Sequence, residues 1–406
     1  MRVLVLSSRF PSHSRPTYGV FVRERIRHVA RHCELQVVAP VPWFPLNARF
    51  RGAALAATPR REVQDGLTVE YPRFVCLPGL GKATDGWLYA LSLAPALRRL
   101  QQRFPFDLID AHFTYPDGVG AAILGRTLGV PVVVTVRGTH DVRHAGFAGR
   151  RGQIRRALHD ATRVIVVSEA LRDFVLGLGI DESKTRVIPN GVDTTRFRPG
   201  DRAAARARLG LPVEGTVLLS VGTLVEGKGH HLVIEALPAI AAKHPRVLYV
   251  VVGGELGRGG DRQHLEALAR RHGVGHALRL VGPRPHDEVP LWLAAADLFC
   301  LATRSEGWCN AITEAVACGV PVVTTRVGGN AEIVRDGRDG FLVPFWNRER
   351  FVAAVNDALE RRWDVAEMAL SASVTGWDRT ATAVLEEFHR ALSHAPAATM
   401  IEETRA

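Results

Sequence analysis

Apolar and polar positions alternate along this chain in two rhythms. Short runs dense in Val, Ile and Leu, closed by glycine or polar residues, predict buried strands, and apolar residues at helical spacing between them predict amphipathic helices. In the first half the predicted strands are Val3 to Ser7, a pair around Leu67 to Phe74, Phe106 to His112, Pro131 to Val136, Val164 to Ser168 and Val187 to Pro189. The helices between them run through Val20, Phe21, Ile26, Val29 and Ala30, starting at Gly19, then over residues 87–104, then through Leu171, Phe174 and Val175. The second half repeats the scheme, with strands at Val217 to Val221, Val247 to Gly254, Leu278 to Gly282, Asp297 to Leu301 and Val320 to Thr325. Its helices begin near His230 and continue over 261–272, Val289 to Ala296 and Trp377 to Leu392. Such an alternation predicts an α/β protein with two Rossmann-like, doubly wound parallel-sheet domains. The boundaries it suggests are 1–197 and 198–376, a helix at 377–393 returning to the first domain, and a disordered tail at 394–406.

The stretch from Glu306 to Thr325, EGWCNAITEAVACGVPVVTT, reads as loop, helix, tight turn and buried strand. Ala311, Ala315, Val316 and Ala317 supply the apolar side of the helix, and Cys318-Gly319 ends it. Glu306 then lies in the loop ahead of the helix and Glu314 near its first turn. Backbone N–H groups and the positive end of the helix dipole point into the same place, which suits an anionic ligand such as a diphosphate. Two carboxylates beside an anion site fit a sugar nucleotide, whose hydroxyls donate to carboxylates while its diphosphate takes the N–H groups. The plainer alternative is that both glutamates merely complement the helix dipole.

Other polar residues fall at predicted strand ends, where ligands of a doubly wound sheet bind. His112 closes one strand, Arg137, His140 and Asp141 follow the next in RGTHD, and Gly19 opens the first long helix. Each could also be an ordinary loop or turn residue. Lys228 sits just before the helix near His230, where its ammonium would reach a diphosphate.

EGWCNAITEAVACGVPVV resembles the E-x7-E motif of retaining glycosyltransferases with two facing Rossmann-like domains, the GT-B fold, of the family 4 type. IPNGVD, the GKG loop around Lys228 and the HFTYPDG strand end are similar to that family too, so the resemblance covers the chain from Val3 to about residue 392. It implies that Glu306 lies at the transferred sugar, that Glu314 binds the nucleotide ribose, and that Gly307, Trp308, Cys309, Asn310, Ala311 and Ile312 select and hold the donor. It also implies that Gly282-Pro283-Arg284 lies along the nucleobase, and that Lys228 assists the leaving diphosphate. Three departures stand out. A single Gly19 replaces the usual GGxG loop, Thr223 takes the place of a common Arg, and Arg137 takes the place of a common His, which makes His140 a candidate for the missing role. The family implies metal-independent transfer from a UDP- or GDP-sugar to a glycan or lipid-linked acceptor in envelope or exopolysaccharide synthesis, with no cofactor. An inactive sugar-nucleotide-binding subunit and a sugar-nucleotide 2-epimerase are the alternatives, and E-x7-E argues against the second.

Composition adds a compartment and an asymmetry. No apolar run reaches the ~18 residues of a membrane span, and MRVLVLSSRF reads as a strand rather than a signal peptide, so a cytoplasmic protein is expected. Five cysteines without a CxxC suggest neither disulfides nor zinc. Residues 1–200 hold 29 Lys and Arg against 16 Asp and Glu, and residues 201–406 hold 23 against 25, so the net charge of +11 belongs to the first half. A basic half suits an anionic acceptor or peripheral contact with an anionic membrane. Arg150, Arg151, Arg155 and Arg156, interleaved with Phe147 and Ile154, are its densest run, unless they are only a solvated helix face. Nucleic acid is not expected, since no helix-turn-helix, RRM or zinc pattern is present and the aromatic residues are not clustered.

Overall fold

A computed structural model describes residues 1–44, 55, 57–77, 79–255 and 261–394. The chain divides into two compact units, one made of Met1–Ile188 with Thr380–Ala406 and the other of Pro189–Arg379.

The strands of the first unit are β1 (Arg2–Leu6), β2 (Glu34–Val38), β3 (Val41–Trp43), β4 (Arg61–Gln64), β5 (Leu67–Glu70), β6 (Arg73–Val75), β7 (Leu108–His112), β8 (Val132–Val136), β9 (Arg163–Val166) and β10 (Thr185–Val187). Eight of them form one sheet in the order β10-β9-β8-β7-β1-β2-β5-β4, parallel except for the final β5–β4 pair. The central strands β1, β7 and β8 are buried on both faces, which is why they read as continuous apolar runs.

The pair expected around Leu67 to Phe74 is different in detail. β4 and β5 form the hairpin, turned by Asp65-Gly66, and Arg73–Val75 pairs instead with Val41–Trp43 in a separate two-stranded ribbon. Both turn residues have positive φ, 49° and 81°, as a two-residue hairpin turn matching strand twist requires.

The second unit holds β11 (Thr216–Val221), β12 (Val247–Val252), β13 (Leu278–Gly282), β14 (Leu298–Leu301), β15 (Val322–Thr325) and β16 (Gly340–Val343), all parallel in the order β13-β12-β11-β14-β15-β16. Val192 and Phe197 are buried in its core, so the segment after Pro189 packs with this unit although the sequence suggested a boundary near 197. The helix Trp377–Ser393 carries the chain back, and its Ala381, Val384, Phe388 and Ala391 join the core of the first unit. Glu387, wholly buried on that helix, pairs with Arg163 at 2.6 Å. The tail expected at 394–406 lies, from residue 395 on, outside the described residues.

The cysteines are free, four of them buried and Cys33 partly so. No helix among the described residues is long and apolar enough to cross a membrane.

Candidate functional site

Glu306 follows the end of β14, in a loop that leads into the helix Asn310–Ala317. The loop is pinned from two sides. The backbone N–H of Arg304 donates to the carbonyl of Gly227, which ties the loop to the segment bearing Lys228. On the other side a Cβ at Gly328, which has φ 48°, would stand 1.8 Å from the carbonyl oxygen of Glu306, so only glycine lets the two backbones meet. The Lys228 ammonium then lies 2.7 Å from Glu306 Oε1, and the Thr303 hydroxyl donates to that oxygen at 3.0 Å. Burial pulls Lys228 toward its neutral form, but the Glu306 carboxylate more than offsets this and its pKa is raised. The lysine is thus held charged, with one of its three donors used on Glu306 and its side chain still 27% exposed.

The helix itself begins without a side-chain cap, since Cys309 makes none. Ile312 and Thr313 donate back to the carbonyl of Cys309, and the N–H groups ahead of them have no intrahelical acceptor. The indole Nε1 of Trp308 is a buried donor with no hydrogen-bond partner among the described residues. Asn310 is steadied by Asn190, whose amide donates to Asn310 Oδ1 at 3.0 Å. Ile312 is fully buried, and Ala311, read from the sequence as core, is only half so. Glu314 is the fifth residue of the helix, just past its first turn, and its Oε1 accepts from Nε2 of His286 at 2.8 Å. The sequence reading missed His286, which stands next to Phe197 in a loop without periodicity. Gly282 (φ 86°) and Arg284 lie just upstream, half-buried and exposed respectively. Thr223 is half-buried, and its carbonyl accepts from His230 Nε2 at 3.2 Å.

The first unit gathers its own candidates at the ends of β1, β7 and β8. His112 has no exposed surface, and both of its ring nitrogens are used. Arg137 donates to Nδ1 at 2.6 Å and the ring donates from Nε2 to Asp110 at 3.1 Å. His112 therefore positions Arg137 rather than presenting a surface of its own. Arg25, also wholly buried, donates to Thr135 and stands 3.6 Å from Asp110. Burial, with Arg137 and Arg25 adding to it, pushes His112 down to about 4 despite the opposing Asp110. Asp141 accepts from the backbone N–H groups of Thr114, Arg137 and Gly138 and so fixes the RGTHD loop.

Gly19 precedes the helix Val20–Val29 at φ 78°, and a Cβ there would meet the carbonyl of Arg9 at 2.3 Å. His140 packs against Phe113 and against His144, another residue the sequence reading passed over. Arg150 corrects the reading of the basic run. It is buried, donates to His144 Nδ1 at 2.8 Å and lies over the rings of Tyr115 and Phe147, while Arg151, Arg155 and Arg156 are exposed. Arg150, Ile154, Ala157 and Leu158 form one helical stripe, so periodicity carried the signal that would have placed Arg150 inside.

Two family models match this chain: Glycosyltransferase Family 4 over residues 18–196 and Glycosyl transferases group 1 over residues 201–372. A D-inositol 3-phosphate glycosyltransferase of Acidothermus cellulolyticus is 33% identical over 321 residues, covering 74% of this chain and 71% of that protein. Among solved structures, a sucrose-phosphate synthase from Thermosynechococcus elongatus superposes with a TM-score of 0.78 at 18% identity, covering 97% of this chain and 99% of that one. Anabaena HepE in complex with UDP superposes with a TM-score of 0.74 at 23% identity, covering 96% of this chain and all of the other, so both structures share the GT-B fold.

Proposed function

The chain belongs to glycosyltransferase family 4, group 1, and from that premise we propose that it is a retaining, metal-independent enzyme moving a sugar from a UDP- or GDP-sugar to a glycan or lipid-linked acceptor in envelope or exopolysaccharide synthesis. The observation that carries the proposal is the pairing of Lys228 with Glu306 beside an uncapped helix N-terminus. Protein donors converge on Oε1 of Glu306, which leaves Oε2 to accept from hydroxyls of the transferred sugar. The two remaining Lys228 donors and the N–H groups at the helix start suit the donor diphosphate, whose charge grows as the glycosidic bond breaks. His286 holds Glu314 through Oε1 and leaves Oε2 for the ribose hydroxyls. In the first unit, Arg137 and His140 are assigned to the reacting sugar and acceptor.

A thermal-shift panel of sugar nucleotides tests the reading. A ligand at ~100 times its dissociation constant adds about 2.7 kcal/mol to the folded state, enough to displace the midpoint visibly. Slow release of free UDP or GDP from the stabilising donor is expected as well. Binding without any turnover would mark the chain as a sugar-nucleotide-binding subunit instead.

Glu314→Gln is expected to weaken donor binding by about 1.5–3 kcal/mol, the range for hydrogen bonds to a charged group, with little loss of stability. Calorimetric titration of the donor checks this, and an unchanged affinity would leave Glu314 as a dipole-complementing acid.

The exposed arginines belong to the acceptor side of the same proposal. Arg126, Arg155 and Arg156 rim a groove of about 760 Å³ whose walls include Val119, Ile123 and the half-exposed Trp87, an amphipathic combination suited to an anionic lipid surface. Reversing Arg151 and Arg155 to glutamate is expected to weaken association with anionic vesicles by at least about 2 kcal/mol, at ~1 kcal/mol per basic residue, with donor affinity intact. Vesicle sedimentation across a salt series reads the effect. Binding that is absent from the unmodified protein would return these arginines to an ordinary solvated face.

A further inference from the structure

Three side chains on the two helices that follow β8, Thr139–Ala145 and Ala148–Asp160, form a hydrogen-bond chain whose direction is fixed by proton inventory. Arg150 Nη1 lies 2.8 Å from Nδ1 of His144, and His144 Nε2 lies 3.0 Å from Nε2 of His140. A guanidinium can only donate, so His144 Nδ1 must accept. A neutral imidazole carries one proton, so that of His144 is on Nε2 and is donated to His140. His140 Nε2 is then an acceptor, and its own proton is on Nδ1. That Nδ1 is buried without a hydrogen-bond partner among the described residues.

The surroundings keep both rings neutral. Burial acts first on each, holding His140 down to about 2 and His144 to about 4. The charges that add to it are Arg9 from the loop after β1, Arg143 from the same helix, Arg150 from the next helix and, for His144, Lys82. No carboxylate is among the main influences on either ring.

Phe113 contacts both the relay and Arg9. Its ring is 5.8 Å from that of His140, edge to face, and the Arg9 guanidinium stands 5.1 Å above it. Phe113 is also one of two non-glycine residues at positive φ, 73°, among those described. Such a conformation is strained for a residue with a side chain and persists where surrounding structure imposes it, often at binding sites. A donor proton without an acceptor, a guanidinium and an excess of positive charge thus meet at the carboxyl ends of three parallel strands, where ligands of this sheet type bind.

We propose that Arg150 and His144 are positioning residues which fix His140 as an Nδ1–H donor, and that this donor together with Arg9 holds an anionic oxygen of the acceptor, as on a phosphate group. The inference rests on the assignment of the first unit to the acceptor. It makes His140 an obligate donor there, not a base.

Two-bond proton–nitrogen correlation spectra of the histidine-labelled full chain, assigned through His140→Gln and His144→Gln, read the tautomers directly. The expected result is Nε2–H on His144 and Nδ1–H on His140, both neutral at pH 6. His144→Phe keeps the ring stacked on Tyr115 but removes the donor, and should move His140 toward the Nε2–H form. Inorganic phosphate should then shift the His140 signals saturably in the unmodified protein, at least tenfold more weakly in Arg9→Gln, and glucose should not. Finding His140 as Nε2–H in the unmodified protein overturns the relay, and His140 signals indifferent to phosphate overturn the oxyanion subsite. Neither readout involves glycosyl transfer, so a failure here is distinguishable from failure of the proposed activity.

Discussion

Lys228→Ala is expected to lower kcat by about 10²–10³-fold, the range for removing one preorganised donor from a site of developing charge, while donor affinity falls much less. The asymmetry follows from geometry. In the resting protein the ammonium is already committed at 2.7 Å to Glu306, so no side-chain reorganisation is needed when negative charge grows on the departing diphosphate. Removing it also leaves the Glu306 carboxylate, only 11% exposed, with the Thr303 hydroxyl as its remaining donor, which disturbs the residue assigned to the sugar. In the proposed reaction Lys228 acts at the diphosphate without a second cation, since the resemblance sets Thr223 where the family commonly has an arginine. Steady-state kinetics beside calorimetric donor titration separates the effects. Equal losses in kcat and in donor affinity would assign Lys228 to ground-state binding alone.

Much of this site was legible because it is local in sequence. The helix Asn310–Ala317, its glycine stop and the strand after it follow from periodicity and turn chemistry within twenty residues, and Lys228 precedes a helix visible in the same way. What the sequence hid are partners brought together by the fold. His286 reaches Glu314 across 28 positions, Asn190 reaches Asn310 across 120, and nothing in either segment marks the pairing. His144 and Arg150 are six apart, yet they bond across two different helices, so neither helical period relates them. Among 16 histidines, only tertiary contact separates a relay member from a surface residue.

The buried charges of the first unit show the same limit most clearly, since Arg25 and Asp110 are 85 positions apart and neither sequence segment predicts a core ion pair. Asp110 is wholly buried. Burial alone would raise its pKa, but His112 and Arg25 outweigh it and bring it down to about 2.

Asp110→Asn is therefore expected to destabilise the protein by about 3–5 kcal/mol, because the isosteric amide leaves the Arg25 guanidinium buried without its counter-charge. Asp110→Asn combined with Arg25→Met should recover much of the loss, since the uncompensated charge goes with it. The pH dependence has a definite sign. Between pH 6.5 and 4 the unfolded chain protonates His112 and the folded one does not, so stability rises with pH there and is lost on acidification. The Asp110 contribution is present above its unfolded value of 3.8 and is lost as pH falls through about 2. Asp117, pushed up to about 6 by burial, works against the histidine across part of that window, so the comparison must be made between variants at each pH. Denaturant titrations of the unmodified chain and both variants at pH 7 and pH 5 supply it. A loss below about 1 kcal/mol for Asp110→Asn at pH 7 would mean that Arg25 is solvated well enough to need no partner, and that the network only orients Arg137.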